Sequence, residues 1–228
     1  MTGSAAVAAV KPTLAIIGGT GTLGSGLAKR WAAAGYGIVI GSRNADKAEA
    51  AAAALVAKGD APVPRGTSNA EAAKAGDVVI LTVPWSNHDQ ILNEIKAQVT
   101  GKIVVDTTVP LVPPKVARVQ LPPETSAALA TQQRLGETAR VVAAFHNVAA
   151  HKLQRDEPID CDVLIFGDDP KDRAVVMTLA EAAGLRGVHA GPLANAVAAE
   201  ALTSILIGIN RNYKVDGAGI RITGIGKD

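Results

Sequence analysis

The chain has 228 residues, which at roughly 150 residues per domain allows one full domain and an appendage but not two full-sized domains. Lys plus Arg number 23 against 21 for Asp plus Glu, a net charge of +2, so a nucleic-acid partner held by bulk phosphate neutralisation is not expected. With 48% hydrophobic and 19% charged residues, the chain can bury a core and lacks the composition of a disordered protein. Its aromatic residues, Trp31, Trp85, Tyr36, Tyr213, Phe145 and Phe166, do not cluster, so no stacking platform for single strands is expected either. Cys161 is the single cysteine, which excludes an intramolecular disulfide and every multi-cysteine metal site; no metal is expected. The start lacks the basic and apolar regions of a secretory signal, and no apolar run approaches the roughly 18 to 20 residues of a membrane span. A soluble cytoplasmic protein with no membrane partner is therefore expected, with residues 1–12 as a disordered tail.

The first structured run is Leu14 to Ile17, four apolar residues ended by glycines, read as a buried strand. Leu23 to Ala34 has helical spacing, with Leu23, Leu27, Ala28 and Trp31 on one face and Gly35 closing it. Gly37 to Ile40 reads as a second buried strand and Asp46 to Lys58 as a second helix. Asp77 to Val83 is a strand stopped by Pro84, and His88 to Val99 a helix with the stripe Ile91, Leu92, Ile95, Val99. Lys102 to Asp106 is a further strand. Val109 to Pro123 carries five prolines and reads as a long connection before a helix at Ser126 to Leu135. Val141 to Phe145, Val163 to Phe166 and a short run near Val188 read as later strands, with a helix at Lys171 to Ala183. The last helix, Ala194 to Asn210, is apolar almost all round, which implies burial against another layer or subunit. Strands alternating with helices predict an α/β fold, a Rossmann-type doubly wound parallel sheet. Residues 13–190 form this domain, and residues 191–228 a small C-terminal helical appendage.

Gly19-Thr20-Gly21-Thr22-Leu23-Gly24 fits G-x-G-x-x-G between a strand and a helix, the context that makes the motif a dinucleotide site. Gly19 is read as the tight-turn glycine, Gly21 as the one a pyrophosphate approaches, and Gly24 as the one that packs helix on strand. An NAD site usually ends its second strand in Asp or Glu. This chain has Gly41-Ser42-Arg43, with Lys47 one helical turn on, a set that donates to and pairs with the 2′-phosphate of NADP. Val83-Pro84-Trp85 ends the next strand on the same sheet edge, with Trp85 a flat wall beside the crevice or a cap on the core. No Tyr-x-x-x-Lys pair, carboxylate pair, nucleophile elbow or helical His-Glu motif is present. His146, at a strand end, is the one candidate catalytic side chain; His88, His151 and His189 read as ordinary packed or surface histidines. An oxidoreductase without an acid or base implies direct hydride passage between two bound rings, with the protein supplying orientation and dryness.

The blocks Ile16 to Gly24, Gly41-Ser42-Arg43 with Lys47, and Val83-Pro84-Trp85 resemble the NADPH:coenzyme F420 oxidoreductases. So do Phe166-Gly167-Asp168-Asp169, Ala190-Gly191-Pro192-Leu193, Glu200-Ala201-Leu202-Thr203 and Gly217-Ala218-Gly219-Ile220. The resemblance implies hydride exchange between C4 of the nicotinamide of NADP and C5 of a deazaflavin, coenzyme F420, while the apolar last helix points to a homodimer formed through it. Carried over, Gly19 and Thr20 to Leu23 hold the pyrophosphate, Ser42, Arg43 and Lys47 the 2′-phosphate, and Val83, Trp85 and Ala149 complete the NADP site. His146, Asn147 and Val148, with Leu202, Leu206 and Ile207, form the deazaflavin side. Two blocks depart from the family pattern. His146-Asn147-Val148-Ala149-Ala150 stands where a His-x-x-Pro-Ala run is expected, and Asn210 to Asp216 is more polar than a deazaflavin cover. A flavin or reduced pterin as the acceptor, or an NADP-sensing module without turnover, are the alternatives.

Overall fold

The computed structural model describes residues 11–59 and 61–226. Most of the expected N-terminal tail, residues 1–10, lies outside the described residues. Leu14–Ile17 (β1), Ile38–Gly41 (β2), Arg65–Thr67 (β3), Val78–Leu81 (β4), Ile103–Asp106 (β5) and Arg140–Ala143 (β6) form one parallel sheet. Its order is β3-β2-β1-β4-β5-β6, the doubly wound Rossmann arrangement. Leu14 pairs with Ile38 on one side and Val78 on the other.

All four residues of β1, β2, β4 and β5 are buried, because helices cover both faces. Alternation along each strand then divides the core. Leu14, Ile16, Ile38, Ile40, Val78 and Ile80 pack toward the helices Thr22–Ala33 (α1) and Ala45–Ala53 (α2). Ala15, Ile17, Val39, Val79 and Leu81 pack toward Asn69–Ala75 (α3), His88–Ile95 (α4) and Ala127–Leu135 (α5). Each fully buried Leu or Ile contributes about 1.5–3 kcal/mol. Trp31 of α1 is completely buried, donates its indole N–H to the Leu179 carbonyl at 2.8 Å, and meets Phe145 edge-on with centroids 5.9 Å apart.

Two elements are not legible as apolar periodicity. β3 is a three-residue edge strand, Arg65-Gly66-Thr67, with no apolar pattern. α3 has only seven residues, yet Ser68-Asn69-Ala70-Glu71 spells a capping box, and Ser68 Oγ accepts from the Glu71 amide at 3.3 Å. α2 stops at Ala53, short of the expected Lys58, and Leu55 then turns in against the α1 side of the core. α4 ends at Ile95 and continues as a single 3-10 turn, Lys96–Gln98.

After β6 the chain leaves the sheet. Asp162–Ile165 (β7) and Arg186–His189 (β8), joined by the helix Pro170–Ala182 (α6), form a separate two-stranded parallel sheet. It touches the main sheet through one antiparallel bridge, Ala143 to Phe166. Ala196–Tyr213 (α7) follows. With the 3-10 turn before it, α7 makes a helical stretch Leu193–Tyr213 of 21 residues and mean hydropathy 1.4. The expectation that no run approaches spanning length is corrected there: alanine and glycine interleave with isoleucine and leucine, so the stretch is long without being a solid apolar block. A membrane span shares only its length and composition, for Glu200 and Ser204 are buried against protein.

Candidate active site

Gly18, between β1 and the motif, has φ +76°, and a Cβ there would lie 2.7 Å from Val83 Cγ1. The left-handed turn therefore falls on Gly18 and not on Gly19 as the motif suggested. Gly19 is needed for a different reason, since its Cβ would meet the Ile16 carbonyl at 2.8 Å. A Cβ on Gly24 would lie 2.8 Å from Gly19 Cα and 2.5 Å from Thr82 Oγ1, so α1 is seated directly on the strand ends. Above Gly21 only the Gly18 carbonyl approaches among the described residues, at 3.4 Å, leaving that side open. Gly21 is also the N-cap of α1, with no side chain capping it and no acidic residue in the first turn. The first amides of α1 are thus offered outward, where the helix dipole favours an anion.

At the end of β2, Ser42 is buried and its Oγ accepts from the Asn44 amide at 3.2 Å, while its own amide donates to the Thr67 carbonyl. Asn44 caps α2 by accepting from the Lys47 amide at 2.9 Å. Arg43 and Lys47 are exposed and form no ion pair among the described residues.

Between these ends lies a cavity of about 440 Å³, lined by Gly18, Thr20 to Leu23, Ser42, Arg43, Thr82, Val83 and Pro84 together with Thr107, Thr108 and Val109. It straddles β1 and β4, where the strand order reverses and ligands of such sheets bind, and its size is that of a small-molecule site. Thr20, Gly21, Thr22, Leu23, Ser42, Arg43 and Val83 are brought together; Gly19 shapes the turn beneath them, and Lys47 stands outside, one turn along α2. Asn69, Asn87, Ile91 and Leu111 also line it. Those residues, and the Thr107-Thr108-Val109 run, were not picked out by motif; their signal was position, just past strand ends or at helix starts.

A buried polar cluster lies behind this cavity. Asp106, fully buried, accepts from Thr131 Oγ1 at 2.5 Å and from the Thr108 amide at 2.8 Å, with His88 Nε2 at 3.3 Å. Burial alone would raise its pKa, but His88, Thr131 and Thr108 outweigh burial and hold the carboxyl below its usual value. The Trp85 ring lies over His88, centroids 4.9 Å apart. Trp85 thus belongs to a short 3-10 turn packed on this cluster, and His88 is a core histidine, not a surface one.

The loop after β6 holds a second, smaller cavity of about 120 Å³, lined by His146, Asn147, Val148, Ala149, Thr203, Leu206, Ile207, Asn210 and Ala218. Ala149 lines this cavity and not the first, and Leu202, half-buried on α7, is not among its walls. Phe145, just before, has φ +67°, strained for a bulky residue. His146 is buried with neither ring nitrogen bonded among the described residues; burial lowers its pKa to about 4, against the opposing Asp106 charge. It is therefore neutral at pH 7.

Both neighbours of this loop are fixed to it. Arg30 of α1 donates to the carbonyls of Leu153, Arg155 and Glu157 at 3.1, 2.7 and 3.0 Å, and Gln154 Nε2 donates to the Thr22 carbonyl at 2.9 Å. From α7, Thr203 Oγ1 donates to the His146 carbonyl at 2.9 Å, and Asn147 Nδ2 to the Ala199 carbonyl at 2.9 Å. Glu200 accepts from the Ala127 and Ala128 amides at 2.7 and 3.1 Å, capping α5. At the entry to α7, Asp168 Oδ1 accepts from the Leu193 amide at 3.0 Å and the Gly167 amide donates to Gly191. The later sequence blocks thus work as a frame that sets α7 against the loop beside α1.

A family model for NADP oxidoreductases, coenzyme F420-dependent, matches residues 13–110. The curated F420-dependent NADP reductase of Methanocaldococcus jannaschii is 42% identical over 221 residues, covering 93% of this chain and 98% of that one. The chain belongs to the F420-dependent NADP reductase family. The reductase of the same name from Methanothermobacter thermautotrophicus is 39% identical, covering 93% of this chain and 95% of that one. The crystal structure of a proposed F420-dependent NADP-reductase from an Arthrobacter species superposes with TM-score 0.78 at 24% identity, over 93% of this chain and 99% of that one. A pyrroline-5-carboxylate reductase from Coxiella burnetii shares the fold, with TM-score 0.56 over 78% of this chain and 59% of that one.

Proposed function

We propose that this reductase transfers hydride directly between NADP(H) and the deazaflavin coenzyme F420. The observation that carries the NADP half is the pairing of the open Gly21 turn with Ser42 and Arg43 just after β2, with Lys47 one turn along α2. Thr20 to Leu23 hold the pyrophosphate on the α1 amides, Ser42, Arg43 and Lys47 take the 2′-phosphate, and Val83 borders the nicotinamide, with Trp85 packed on His88 outside the cavity lining. When bound, the two rings supply the redox chemistry, C4 of one giving hydride to C5 of the other.

The chain's own residues orient and desolvate. Val83, Pro84 and the Thr107 to Val109 run wall one side, and the clamped His146 to Ala149 loop, with Thr203, Leu206 and Ile207 of α7, forms the other. Neutral His146 has no partner among the described residues to relay a proton and acts as a wall. Residues 13–190 then serve as the NADP-binding domain and residues 191–228 as the piece that completes the acceptor pocket. Ile205 of α7 is 49% exposed, beside half-buried Leu202 and Ile209, an apolar face that supports a homodimer through this helix.

The test is anaerobic stopped-flow mixing of enzyme, NADPH and coenzyme F420. Loss of the oxidised deazaflavin absorbance is expected within the turnover time, and its persistence contradicts the proposal. A second reading, a flavin or reduced pterin as acceptor, is favoured by one feature: Ala149 where the family pattern has proline after the histidine. Tight binding of coenzyme F420 with no binding of either other ring removes it.

A further inference from the structure

Resting on the NADP reading above, we propose that Asn69 is a specificity-determining residue that accepts a hydrogen bond from the 3′-hydroxyl of the adenosine ribose. Asn69 is the first residue of α3, is 1% exposed, and lines the same cavity as Ser42 and Arg43. Its Oδ1 is buried with no donor among the described residues. Buried acceptors are rarely left so, and the missing bond is unfavourable until something supplies it.

The orientation of the amide is set from behind. Nδ2 donates to Glu94 Oε2 of α4 at 3.4 Å; the reversed amide would face that carboxylate with its oxygen. Oδ1 is therefore committed to accepting. It stands over Gly41, the last residue of β2, where a Cβ would come within 3.1 Å of it. The two residues after Gly41 are those that meet the 2′-phosphate, and the 3′-hydroxyl is on the adjoining ribose carbon.

The chemistry also explains why an amide is used. NAD sites place a carboxylate at the end of β2 to accept from the ribose, and a carboxylate beside Arg43 would repel a 2′-phosphate. A neutral amide arriving from α3 accepts a ribose hydroxyl without adding negative charge. Asn69 would thus supply the acceptor that Gly41-Ser42-Arg43 lacks.

The experiment is calorimetric titration of NADP+, NAD+ and the hypoxanthine analogue of NADP+, which lacks the adenine amino group. Asn69→Ala is expected to weaken all three by about five- to tenfold, the loss of one neutral hydrogen bond. Asn69→Asp in a Glu94→Gln background, free of the neighbouring carboxylate, is expected to keep NAD+ within about twofold while weakening NADP+ at least roughly tenfold. Because that readout is a ratio of two affinities, a general loss of stability does not imitate it. Unchanged affinities in Asn69→Ala overturn the proposal, as does an unchanged NADP+ to NAD+ ratio in the aspartate variant. A loss in Asn69→Ala that vanishes with the hypoxanthine analogue moves the contact to the base and also overturns it. The parent reading fails separately, through a wild-type protein that does not prefer NADP+ to NAD+.

Discussion

Arg43 is the residue on which the choice between the two dinucleotides turns. It is exposed and unpaired among the described residues beside a buried serine, so its guanidinium is available to a ligand phosphate. Replacing it with alanine removes a charge-assisted contact and should weaken NADP+ by about 1.5–3 kcal/mol, with NAD+ nearly unaffected; paired titrations measure this, and equal losses would place Arg43 away from the phosphate.

His146 makes a different prediction. Its folded pKa of about 4 lies below the unfolded value of 6.5, so the unfolded chain binds the extra proton between those two values. Stability therefore rises with pH from about 4 to 6.5 and is lost on acidification through that window, by about 3 kcal/mol for this group. Urea unfolding across that range should be flatter in His146→Gln than in the wild type; parallel curves would mean that the ring is not held neutral. The glycine loop and the Ser-Arg-Lys set were legible from sequence because backbone approach and phosphate charge demand those residue types at fixed spacing. Asn69, Thr108 and Asp106 were not, because separate strand ends bring them together and no local pattern announces them.

At the scale of elements, Asp106 ties β5 to α4 and α5 through His88 and Thr131. Its removal leaves a buried histidine and threonine without their acceptor, so Asp106→Ala should destabilise by about 3–5 kcal/mol in urea unfolding. A loss below about 1 kcal/mol would show that the cluster is dispensable. The strands β1, β2, β4 and β5 were legible because burial on both faces makes each a continuous apolar run, and the helices α1, α4 and α6 because one buried face enforces a period of 3.6. β3 and α3 escaped because an exposed edge strand needs no apolar run and seven residues span barely two turns. Only the Ser68 capping box marks α3. The boundary errors at α2 and α4 share one cause: the alanines, Ile95 and Val99 permit a longer helix, but packing of Leu55 and a tightened last turn end it sooner.

The whole molecule depends on how the C-terminal piece is attached. Asp162, completely buried on β7, accepts from Arg186 at 2.8 and 2.6 Å, from Arg221 at 3.0 Å and from the Ile222 amide at 2.6 Å. Burial would raise its pKa, yet these donors hold it at about 2. The chain after α7 is further tied by the Ile220 carbonyl to the Asp162 amide and by Asp216 to His151 at 2.7 Å. Asp162→Ala should free residues beyond α7 to proteolysis and impair the acceptor side while leaving NADP+ affinity intact; a matching loss of NADP+ affinity would mean that the two sites are not separable.

The central claim, that two clamped surfaces hold two rings for a direct transfer without a protein acid or base, is tested most directly by isotope. NADPH carrying deuterium at the transferred C4 position is mixed with coenzyme F420 and enzyme under anaerobic conditions in ordinary water, and the reduced deazaflavin is examined by mass spectrometry and NMR. Deuterium retained at C5 is the expected result; reduction with the label lost to solvent, or no reduction, contradicts it.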